Sequence, residues 1–176
     1  MFCGKIIAKF NIALIFFSSV LLYSMPGFAQ DLMTKDGLFS LQGGWTGRGV
    51  SVISDRPEKV ACRAVANPKK ERLEVVISCN STGGSGRLVA YIGLDDSTRA
   101  ISGVWHQAFK GKQGQTRGKL TGTAKDKSTL AMLLNTYGKD RASVLFNLVS
   151  QNEMRIKVAE IENAGNATFD VMFKRQ

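Results

Sequence analysis

The 176 residues carry a formal charge of +10, from 24 Lys and Arg against 14 Asp and Glu, and include one histidine and three cysteines. That length leaves no need for a second domain, and one histidine means that any His-dependent triad or metal site must include His106. The positive balance favours anionic surfaces such as lipid headgroups, acidic polysaccharide or nucleic acid, with plain solubility as the competing reading.

Residues 1–29 read as a secretory leader. Lys5 and Lys9 form a basic start, Phe10 to Tyr23 is nearly all apolar, and Gly27-Phe28-Ala29 sets small residues three and one before a cut ahead of Gln30. The apolar run falls short of the roughly 20 residues of a membrane-spanning helix, so the mature chain is expected to lack a transmembrane segment and to be periplasmic or secreted. Losing the two leader lysines takes the formal charge from +10 to +8. The rest, residues 30–176, is expected to form one domain.

Asp31 to Gln42 reads as a short helical lead-in, with Thr34 or Asp36 as cap and Leu32, Met33, Leu38, Phe39 and Leu41 as its apolar residues. It is placed at one end of a barrel. The stretch that follows, Gly43 to Ile53, is a Trp-led strand: Trp45, Gly47, Gly49, Ser51 and Ile53 share one face, and Thr46, Arg48, Val50 and Val52 the other. Glycines at this density fit a sharp bend or the close approach of another strand.

Cys3 leaves with the leader, so the mature chain holds Cys62 and Cys79. Asn67-Pro68-Lys69-Lys70 marks a turn between strands Lys59–Ala66 and Arg72–Asn80. A hairpin centred between Lys70 and Glu71 puts Cys62 opposite Cys79, Ala64 opposite Ile77 and Ala66 opposite Val75. One register thus sets both sulfurs on one apolar face, which predicts a structural Cys62–Cys79 disulfide in an oxidising compartment. No His or further Cys lies near enough in sequence to make the pair a metal site.

Ser81 to Gly86 reads as a loop. Strands follow at Arg87–Leu94 and Arg99–Phe109, joined by Asp95-Asp96-Ser97-Thr98, whose carboxylates are expected to bond to their own backbone. Leu88, Ala90, Ile92 and Leu94 share a face, as do Ile101, Gly103, Trp105, Gln107 and Phe109. After a Gly- and Lys-rich loop come strands at Thr116–Ala124, Thr129–Asn135, Arg141–Ser150, Met154–Ile161 and Ala167–Arg175, the last with the cleanest alternation. The expected fold is all-β: a single up-and-down antiparallel barrel of about 8–10 strands with a short helical lead-in.

Gly43-Gly44-Trp45 on the first strand, the meandering strands and the lead-in resemble the calycin group of lipocalin-like and avidin-like barrels. Gly44 to Gly49, Glu58 to Ala64, Cys79, Ser102 to Trp105 and the basic strand end at Arg175 also resemble an uncharacterised family of small exported alphaproteobacterial proteins, which implies no activity. Trp45, Trp105 and Tyr91 supply too few contacts for biotin to be carried over from the avidin-like barrels. A similar Trp-led, disulfide-bonded barrel occurs in periplasmic inhibitors of secreted metalloproteases, and that resemblance implies an inhibitor as the alternative role.

No catalytic constellation emerges. His106 alternates away from Trp105, no Ser sits in a nucleophile elbow, Gly83 to Gly86 follows no strand–helix pattern, and no ligand spacing marks a metal or cofactor site. The sequence therefore points to a non-enzymatic binder of a small apolar or amphipathic ligand or an envelope component, with Trp45, Ile92, Trp105, Phe109, Leu145 and Phe169 as pocket-facing candidates that serve equally as packed core. The alternative is a filled barrel acting as a protein-interaction or inhibitor module through Lys110, Lys112, Arg117 and Lys119, an anion or partner patch whose competing reading is protection of a sheet edge by lysines. Nucleic acid ranks lower, because no aromatic residues interleave with these charges.

Overall fold

The computed structural model describes residues 31–53, 56–110, 116–136, 139–161 and 167–176; the leader and its cut before Gln30 lie outside them. Among the described residues one helix, α1 (Lys35–Phe39), precedes β1 (Gly43–Ile53), β2 (Arg56–Lys69), β3 (Arg72–Ser81), β4 (Gly84–Leu94), β5 (Ala100–Phe109), β6 (Thr116–Asp126), β7 (Thr129–Thr136), β8 (Lys139–Ser150), β9 (Glu153–Glu160) and β10 (Ala167–Arg175). Each strand pairs antiparallel with the next, and β10 returns to β1. The result is a closed, ten-strand, up-and-down barrel.

The period-two pattern sorts the faces. Trp45 and Gly47 on β1, Cys62, Ala64 and Ala66 on β2, Ile92 and Leu94 on β4, and Val171 and Phe173 on β10 are buried inside, while Thr46, Arg48, Arg63 and Lys174 are exposed outside. On β1, a Cβ on Gly49 would stand 2.0 Å from the Asp170 carbonyl oxygen. The glycine lets β10 approach closely enough to close the sheet.

The β2–β3 register is the one expected, with Cys62 opposite Cys79, Ala64 opposite Ile77 and Ala66 opposite Val75, and the cysteines form a disulfide. The turn is tighter than the sequence suggested. Asn67 and Pro68 remain in the ladder opposite Glu74 and Leu73, leaving Lys70 and Glu71 as the turn, with Lys70 at φ 54°. The loop expected over Ser81–Gly86 likewise shrinks to Thr82 and Gly83, because Gly84, Ser85 and Gly86 pair with Ser81, Asn80 and Cys79. The Glu58 carboxylate holds that turn by accepting from Gly83 N at 2.8 Å and Thr82 Oγ1 at 3.3 Å.

The lead-in closes one end. Thr34 caps α1 by accepting from Gly37 N, and Leu32, Leu38 and Leu41 are buried in the core. Leu32 N donates to Lys127 O at 2.9 Å, Lys35 N to Asp96 Oδ1 at 2.6 Å, and the Lys35 ammonium pairs with Glu71. The segment is thereby tied to three hairpin turns of that end.

Candidate binding site

The two tryptophans, equivalent by strand pattern, have different surroundings. Trp45 is 1% exposed at the helix end. Its Nε1 donates to Leu41 O at 3.0 Å, and the Arg175 guanidinium lies over its ring at 4.4 Å from the centroid. Arg175 in turn donates from Nη1 to Gln42 O at 2.8 Å, Nη2 to Ser40 O at 3.0 Å and Nε to Gln151 O at 3.3 Å. Trp45 therefore locks the lead-in to the last strand. Trp105 is 5% exposed, midway along β5 and flanked in the sheet by Ala90 and Gly118, and its Nε1 has no hydrogen-bond partner.

Inward side chains are not equally covered along the barrel. One cross-strand row runs Phe169, Val158, Val144, Met132, Gly122, Ile101 and Leu94. It begins at the end opposite α1 and finishes beside the Asp95 turn. Phe169, Val158 and Val144 are half-buried, whereas Met132, Ile101 and Leu94 are buried. A second row shows the same trend: Trp45 and Ala64 are buried, while Ile77, Leu88 and Gln107 are half-buried. Along these two rows the inner wall is apolar, covered at the helix end and partly accessible towards the other, where Val60, Thr136 and Ala142 are nonetheless buried.

Of the pocket-facing candidates, Ile92, Trp105 and Phe169 face inward with Trp45, and the Phe109 side chain lies outside the described part of the structure. Leu145 does not join them. It stands on the outer face of β8, 41% exposed, between Ala131 and Lys157. The pattern misleads here because Val144, Leu145, Phe146, Leu148 and Val149 supply apolar residues to both faces; pairing with Met132, Leu130, Ile156 and Met154 turns Val144, Phe146 and Leu148 inward. Val144, Val158 and Thr136 are inner-wall residues the sequence reading passed over, although Thr136 continues the alternation Leu130, Met132, Leu134.

The basic residues sit outside. Arg117 and Lys119 are exposed on β6, opposite His106 and Val104 of β5. The closed barrel gives β6 partners on both sides, so edge protection does not explain them. Lys112 lies outside the described residues. Lys110 and Arg87, the latter absent from the sequence-based patch, line an outer cleft of about 320 Å3 with Ser78, Asn80 and Ser85. A second outer cleft of about 510 Å3, near the helix end, contains the Lys35–Glu71 pair, Arg72 and Asp95.

The carboxylates serve local structure. Asp95 Oδ1 accepts from Ser97 Oγ, Ser97 N and Thr98 N within 3.0 Å, which lowers its pKa from 3.8 to about 2. Asp96, expected to bond to its own backbone, instead reaches across to Lys35 N. Asp170 is lowered chiefly by its two-pronged bond from Arg155, at 2.8 and 2.7 Å. His106 lies on the outer face between Val89 and Arg117, and no cluster of three metal-ligating side chains occurs among the described residues.

No protein-family model and no curated protein matches this chain.

No helix among the described residues is long and apolar enough to cross a membrane. The outer wall carries Arg48, Arg63, Arg87, Arg117, Lys119, Arg155 and Lys174, interspersed with the exposed Val50, Val65, Val104 and Leu145. The disulfide fits an oxidising compartment.

Proposed function

We propose that this chain is an exported, non-enzymatic, calycin-like barrel, periplasmic or secreted, that takes a small apolar or amphipathic molecule, or the apolar part of an envelope component, into the end opposite α1. The observation that carries the reading is the uneven cover of the inner wall: Val144, Val158 and Phe169 keep part of their apolar surface accessible, while the same row is buried by the time it reaches Ile101 and Leu94. Apolar surface left accessible inside a barrel gains free energy when a ligand excludes water from it. The resemblance to small exported alphaproteobacterial proteins agrees with the leader pattern and the disulfide.

Native mass spectrometry of the protein purified from the periplasm tests this. A retained mass of a few hundred daltons, lost on unfolding, is the expected result. A clean unliganded mass, together with Val144 and Val158 methyl resonances that no apolar additive moves, would overturn it.

A second reading rests on the outer cleft between Arg87 and Lys110. In it the barrel is a filled interaction or inhibitor module that holds an acidic partner through Lys110, Arg117 and Lys119. Reversing those three charges would abolish partner capture in this reading and leave any interior ligand in place.

A further inference from the structure

Trp105 and Thr136 are the two described residues that bury a side-chain polar atom without a hydrogen-bond partner, at Nε1 and Oγ1. Each is 5% exposed. Buried polar groups are almost always paired, because an unmade bond inside costs free energy that water would otherwise supply. Trp45 obeys that rule through Leu41 O; Trp105 does not.

The sheet sets the two exceptions in one row. Trp105 lies opposite Gly118, and the β6–β7 register, with Lys119 opposite Asn135, places Thr136 on the other side of Gly118. A Cβ on Gly118 would stand 3.0 Å from Trp105 Nε1 and 1.6 Å from Asn135 O. The row therefore has no side chain at Gly118, where the Asn135 carbonyl comes close instead, and a hydroxyl follows on the next strand. Towards the helix end the same row continues through Ala90, Val75 and Ala66, none of them polar.

We propose that Trp105 Nε1 and Thr136 Oγ1, on either side of Gly118, form a polar subsite for a neutral oxygen, a carbonyl or hydroxyl, on an otherwise apolar ligand. The subsite rests on the binding reading above and narrows its ligand class. The indole donates, and the hydroxyl donates to a carbonyl or accepts from a ligand hydroxyl. No described inward side chain of β5 or β7 is charged, so these two strands offer a carboxylate or ammonium no counter-ion. The ligand's apolar body reaches the partly accessible Val144 and Val158, which stand in one row with the buried Met132 of β7. From Thr136 to Met132 the strand rises about 13 Å, which suits a medium-length alkyl chain.

The test titrates methyl decanoate and n-decane separately into the oxidised 15N- and methyl-labelled protein, followed by NMR. The Trp105 indole resonance, assigned by Trp105→Phe, is expected to move downfield with the ester and not with decane. Ester affinity is expected to fall about fivefold or more in Trp105→Phe and in Thr136→Val, while decane affinity stays within about twofold. Should Trp105→Phe not fold, Thr136→Val carries the comparison. Ester that shifts the Val144 and Val158 methyls yet binds both variants as tightly as the native protein overturns the subsite and leaves the barrel-binding reading standing. If neither probe shifts those methyls, both readings are overturned. A slowly exchanging water cross-peak at the Trp105 indole that persists with saturating ester assigns the two groups to a structural water and overturns the subsite.

Discussion

Replacing Arg175 by Ala tests how the barrel holds its closed end. The guanidinium makes hydrogen bonds at 2.8, 3.0 and 3.3 Å to the carbonyls of Gln42, Ser40 and Gln151, and covers the Trp45 ring at 4.4 Å. Bonds with one charged partner contribute about 1.5–3 kcal/mol when well buried. These are exposed or partly buried, so about 1 kcal/mol for each of the two shorter ones is the appropriate scale. The cation–π contact adds about 1 kcal/mol, since the ring is desolvated on its other sides. Arg175→Ala is thus expected to cost about 3 kcal/mol, or about 9 °C in Tm for a chain of this size. Arg175→Lys retains a cation over the ring but cannot span three carbonyls, and should lose about half as much. Equilibrium urea unfolding of the oxidised protein, with an unchanged m-value, measures both. A loss below about 0.5 kcal/mol for the alanine variant, or a lysine variant equal to the native protein, would refute the reasoning.

The Cys62–Cys79 bond closes a loop with a sequence separation of 17. Loop-closure entropy for that length gives about 3 kcal/mol, so a Cys62→Ala/Cys79→Ala variant should unfold at correspondingly lower urea; a loss below about 1 kcal/mol would show that the hairpin is already ordered in the unfolded chain. Asp95 has a folded-state pKa of about 2 against the usual 3.8, through Ser97 Oγ first and then the backbone of Thr98 and Ser97. Because the folded value is the lower one, its contribution is complete above the unfolded pKa and disappears as pH falls towards about 2. The native protein's Tm advantage over Asp95→Asn should therefore be level above about pH 5 and shrink between about pH 4 and 2; an advantage that stays constant down to about pH 2 would contradict the assignment.

Much of the barrel was legible because its strands carry a clean period of two. Cys62 and Cys79 could be paired from sequence since only one hairpin register puts both on an apolar face. The lead-in was legible from Thr34 and the spacing of Leu32, Leu38 and Leu41. Its purpose was not, because Trp45, Leu41 and Arg175 meet only once the last strand has returned beside the first.

The sequence by itself determined where the strands run, where most turns fall, how the disulfide hairpin is registered and that a short helical segment precedes the sheet, since these depend on neighbours in the chain. Tertiary structure decided the rest. In Val144–Val149 both faces offer apolar residues, and alternation cannot say which is inside until β7 and β9 pair on either side. It likewise separated Trp45, bonded to Leu41, from Trp105, whose indole N–H lies beside Gly118 without a hydrogen-bond partner. Partners of that kind are set by the registers of a closed sheet, in which residues far apart along the chain share one row across the barrel.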